Sequence, residues 1–110
     1  MMKRSLEALA REQLEKAAAA SSGRAAHTVY GGHEHVLRQT LIAMTAGTEL
    51  SEHDNPGEAT VQVLQGRVTL RAGDVSWDGR RDDLLVVPQA LHSLEAIKDS
   101  VVLMTVAKLP

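Results

Sequence analysis

Gly47-Thr-Glu-Leu-Ser-Glu-His53-Asp-Asn55-Pro-Gly57-Glu-Ala59-Thr-Val61-Gln-Val63-Leu-Gln-Gly66 is bounded by glycines and broken once by a Pro-Gly turn. Glu49 to His53 is a short β-type run, and Asn55-Pro56-Gly57 is a strong signal for a turn. Beyond it, period-2 alternation puts Ala59, Val61 and Val63 on one face of a strand and Glu58 and Gln62 on the other. A second stretch, Leu84-Leu-Val-Val-Pro88-Gln-Ala-Leu-His92, pairs an apolar run with a proline and then a histidine.

Working outward, the chain after Gly23 continues as short β-type runs separated by turn residues, the pattern of an all-β sandwich or barrel. Runs are expected at 26–30, 35–44, 49–53, 60–64, 67–71, 75–77, 84–87, 92–96 and 101–106. Gln65-Gly66 reads as a tight hairpin turn, and Asp78-Gly79 as another. Before them, residues 5–20 read as a helix with Ser5 as N-cap and Glu7 in the first turn. Leu6, Leu9, Leu14, Ala10, Ala17 and Ala18 form a thin apolar stripe, expected to pack on the outside of the barrel or across a dimer. The expected organisation is a helix and linker over 1–24 and a barrel over 25–110.

Composition narrows the chemistry. The chain has 110 residues, 44% of them hydrophobic, enough for one core. It has 12 basic and 14 acidic residues, scattered, for a net charge of −2, which gives no electrostatic case for nucleic acid. There is no cysteine, so any metal needs nitrogen and oxygen ligands. No apolar run approaches the roughly 20 residues of a membrane span, and the N-terminus lacks the apolar core of a signal peptide, so a cytoplasmic location is expected. Phe is absent, and Tyr30 and Trp77 are the aromatic residues, so the core should be aliphatic. Nucleophile triads, phosphate-binding glycine loops and paired catalytic carboxylates are not recognisable.

Residues 35–107 resemble the cupins, small antiparallel jelly-roll β-barrels of the RmlC type, in both of their signature stretches. The first family motif runs Gly, five residues, His-x-His, three or four residues, Glu, six residues, Gly. Gly47, His53 and Gly66 fall in register with it, while Asn55 takes the second histidine position and Ala59 the glutamate position. In the second motif Pro88 and His92 match, and Asp82 stands where a glycine usually opens it.

The resemblance implies an all-β cupin barrel preceded by a short helix, with His53 and His92 as ligands of a divalent transition metal (Zn, Fe, Mn, Ni or Cu). Such a site would bind or act on a small molecule, and any enzyme activity would be metal-dependent, of dioxygenase or isomerase type. The departures at Asn55 and Ala59 leave open a metal-free small-molecule-binding or sensing module, and also an interaction protein with a vestigial pocket. His33 and His35, read at strand spacing, are further candidate ligands with Asn55. Ala59 and Val61 should line the pocket. One of Arg38 and Gln39 must face inward, where a guanidinium would need an anion. A homodimer is expected, because small open barrels leave strand edges to cover.

Overall fold

The structure, a computed structural model, describes residues 1–53 and 57–108, the side chains of Glu52 and His53 excepted. Helix α1 covers Leu6–Ala19, and Ser5 caps it by accepting a hydrogen bond from the Ala8 amide at 3.2 Å. Nine strands follow: β1 (Arg24–Tyr30), β2 (Leu37–Met44), β3 (Glu49–His53), β4 (Gly57–Gln65), β5 (Arg67–Ala72), β6 (Val75–Arg80), β7 (Leu84–Val87), β8 (His92–Ala96) and β9 (Ser100–Lys108). They form two antiparallel sheets, one ordered β1-β2-β9-β4-β7 and the other β3-β8-β5-β6.

The two inner faces enclose an aliphatic core. Ile42, Met44, Ala59, Val61, Val63, Val87, Val102 and Val106 from the first sheet meet Val68, Leu70, Leu94 and Ala96 from the second. The outer face of the five-stranded sheet is apolar too, at Leu41, Ala43, Val101 and Leu103, and α1 covers it with Ala10, Ala17, Leu6, Leu9 and Leu14. Each buried Leu or Val contributes roughly 1.5–3 kcal/mol, so without the helix this strip would face water at considerable cost.

Three local expectations are corrected. Gln65-Gly66 is not a hairpin turn, because β4 pairs with β7 and β9 whereas β5 pairs with β6 and β8. The chain there crosses between sheets, with Gly66 at φ 88° and packed against the Asp99 carbonyl and the Ser100 side chain. Asp78-Gly79 is not a turn either but the interior of β6. Gly79 lets that strand approach β4 and β7, since a Cβ there would lie 2.9 Å from Leu85 Cδ1 and 3.1 Å from Val63 Cγ2. The turn falls instead at 81–83, where Asp82 adopts φ 73° in the place of the family's glycine. Finally β2 starts at Leu37, so His33 and His35 lie in the β1–β2 turn and strand alternation does not apply to them.

Candidate functional site

At the end of the barrel where β8 begins, the connections β1 to β2 over 31–36, β5 to β6 over 73–74 and β7 to β8 over 88–91 lie with the last residue of β3, His53. His92 opens β8 at that end. It is 1% exposed and in phase with Leu94 and Ala96, both of which face the core. Its Nδ1 lies 3.0 Å from the Ala90 carbonyl oxygen. A carbonyl can only accept, so Nδ1 carries the proton and a neutral ring has its lone pair on Nε2. The tight 88–91 connection positions that acceptor, with the Ala90 amide bonded to the Pro88 carbonyl at 2.9 Å.

Opposite His92 on β3 stands His53. The backbone pairing runs Glu49 with Glu95, Leu50 with Leu94, then His53 with His92, so β3 spends three steps where β8 spends two. This bulge changes the phase of β3 and brings position 53 into direct register with position 92. Two histidines separated by 39 positions thus become cross-strand partners through the backbone alone. Asn55 lies outside the described residues.

The facing sheet contributes an inner-face row at the same end: Arg38 pairs with Val106, Val106 with Ala59, and Ala59 with Val87. Ala59 and Val61, at 5% and 0% exposure, belong to the aliphatic core, so the family's carboxylate position is filled by a methyl group. Glu58 is exposed on the opposite face of β4. Of the Arg38–Gln39 pair, the arginine is on the inner face, in register with buried Val106, and is half-buried. Gln39 is on the outer face, where its amide Nε2 donates to Thr105 Oγ1 at 3.2 Å. His33 and His35 are exposed in the connection beside this end, and the His35 ring stands edge-on to Tyr30 at 5.2 Å.

Lys108 escaped the sequence reading. It continues the inward phase of Val102, Met104 and Val106, a signal that was present in the alternation of β9. Its ammonium donates to the carbonyls of Gly32, at 2.8 Å, and His33, at 3.5 Å. A groove of about 550 Å³ runs along β4 and β7, lined by residues including Thr60, Val86, Gln89 and Thr105. Its lining also includes Ala59 and Val87 of the core.

Among the described residues no group of three or more His, Asp or Glu is placed to hold a metal ion. His92 nonetheless has the tautomer and orientation typical of a ligating imidazole, held through its other nitrogen by a carbonyl.

No family model and no curated protein matches the sequence. Solved structures do match. A conserved protein of unknown function from Streptococcus pyogenes superposes with a TM-score of 0.73 at 22% identity, over 83% of this chain and 79% of that one. An RmlC-like cupin protein from Desulfovibrio desulfuricans gives 0.67 at 27% identity, over 76% and 81%. A mutant of the salicylate 1,2-dioxygenase from Pseudoaminobacter salicylatoxidans, in complex with gentisate, gives 0.79 at 19% identity. This chain is covered there over 94% of its length and spans 33% of that larger chain. With the two-sheet topology and these superpositions together, the chain has the fold of the small RmlC-like cupins.

Proposed function

We propose that the barrel end at His92 binds a divalent transition metal through His53 and His92, with a small molecule taking up position beside it. The observation that supports this most is the register pairing of the two histidines, produced by a one-residue bulge in β3. Bulges of this kind re-aim side chains next to functional sites. The Ala90 carbonyl fixes the His92 ring, so Nε2 is the nitrogen offered to the ion. The ion would supply Lewis acidity to an oxygen of the bound molecule. Val87, Val106 and Ala59 keep water away from one side of the site.

The test is thermal unfolding of metal-stripped protein with and without Zn, Ni or Mn. Saturable stabilisation is expected in the native chain, and its loss in His53→Ala and His92→Ala. Equal stabilisation of all three proteins would remove the reading.

A second reading, a metal-free small-molecule-binding module, is favoured by one observation: the position of the missing carboxylate is Ala59, buried among aliphatic side chains. Stabilisation by organic ligands and by no metal would establish it in place of the first. The homodimer belongs to either reading. Leu84 and Val86 are 60% and 72% exposed on β7, the last strand of its sheet, and a second copy of this chain would cover them.

A further inference from the structure

The end of the barrel that carries His92 also carries two cations on the inner face of the opposite sheet. Arg38 on β2 and Lys108 on β9 lie two register positions apart along neighbouring strands, since Arg38 pairs with Val106. Both are half-buried. Lys108 donates to two backbone carbonyls, and among the described residues no carboxylate pairs with it. Among the described residues Arg38 has neither a hydrogen bond nor an ion pair, whereas Arg67, Arg71 and Arg80 on the four-stranded sheet all reach a carboxylate. Among the described acidic side chains at this end, Glu34 is exposed in the 31–36 connection, and Glu58 is exposed on the outer face of β4.

A half-buried guanidinium with no partner keeps only part of its hydration, and an oxyanion that takes both arms of its fork replaces what is lost. Val106, Ala59 and Val87 of the row are already buried, and the exposed apolar side chains at this end include Val36 and Leu91, at 68% and 52% exposure in the 31–36 and 88–91 connections. A ligand matched to this end has a charged head for Arg38 and an apolar body for Val36 and Leu91. We propose that Arg38 anchors the carboxylate of a small amphiphilic monoacid at the barrel end, Lys108 adding long-range attraction. The proposal rests on reading this end as a ligand site, and it does not require the metal.

The experiment titrates metal-stripped protein with hexanoate, benzoate, hexanamide and inorganic phosphate at constant ionic strength, following backbone amide shifts by NMR. Hexanoate or benzoate should bind saturably and shift amides of β2, β9 and the 88–92 segment. Hexanamide and phosphate should bind at least about tenfold more weakly, the first lacking the charge and the second the apolar body. Arg38→Gln should lose the carboxylate by a similar factor, and Arg38→Lys should recover only part of it. The proposal is overturned if neither carboxylate binds the native chain, if the amide or phosphate binds as well, or if Arg38→Gln binds hexanoate unchanged. A parallel zinc titration of Arg38→Gln separates the two readings. Zinc binding retained there while the carboxylate is lost leaves the histidine site intact, and loss of zinc binding in His53→Ala with hexanoate retained leaves the Arg38 site standing alone.

Discussion

Gly66 and Ser100 meet at the corner where the chain leaves one sheet for the other. Ser100 is fully buried, and its hydroxyl oxygen accepts from the Arg67 amide at 3.0 Å while its proton goes to the Lys98 carbonyl at 2.7 Å. Gly66→Ala combines a left-handed backbone with a collision against backbone, so a loss of about 2–3 kcal/mol in chemical denaturation is expected. Gly79→Ala meets the movable ends of Leu85 and Val63 instead, and should cost about 1 kcal/mol. The reverse ranking would contradict the packing described at both positions. On the exposed face of β6, Arg67 Nε bonds Asp78 Oδ1 at 2.8 Å, and with Arg80 it holds the Asp78 carboxyl below its ordinary value of 3.8. A lowered carboxylate contributes stability above that ordinary value and loses it as the pH falls through the folded one. The NMR titration midpoint of the Asp78 carboxyl should therefore lie below 3.8 and move upward in Arg67→Gln; a midpoint at or above 3.8 in the native chain would refute the pairing.

At the scale of single elements, α1 is held by what it covers rather than by its own stripe. Ala17 is fully buried against the outer sheet face, and Ala10 nearly so, because small residues let the helix lie close to β1 and β2. Ala17→Asp places an unpaired charge in that contact and should destabilise by about 3 kcal/mol or undock the helix, read as lost amide protection in 6–19 by hydrogen exchange. Unchanged protection would mean that the helix does not rest on this residue. The helix, with its Ser5 cap, was legible in the sequence because capping and 3.6-residue periodicity are local signals. Strand boundaries were less so. Gln65-Gly66 and Asp78-Gly79 have the chemistry of turns, but turn chemistry does not distinguish a hairpin from a crossing between sheets or from a close approach of strands. Likewise His33 and His35 have strand spacing, yet Gly31 at φ 94° keeps the chain turning until Leu37.

Across the whole molecule, the cupin barrel was legible because glycine, proline and histidine spacings encode its two signature stretches, and the superpositions agree. The pairing of distant strands was not, since it depends on contacts far apart in sequence, and so neither the bulge in β3 nor the inward phase of Lys108 entered the reading. That bulge puts position 53 opposite His92, where unbroken pairing from Leu50 and Leu94 would put position 52. The direct test is electron paramagnetic resonance of one equivalent of Cu(II) added to metal-stripped protein. Nitrogen hyperfine structure from two imidazoles is expected in the native chain, reduced to one in His53→Ala and in His92→Ala. A spectrum of hydrated copper in the native chain, or a two-nitrogen spectrum that survives His53→Ala, would contradict the paired-histidine site.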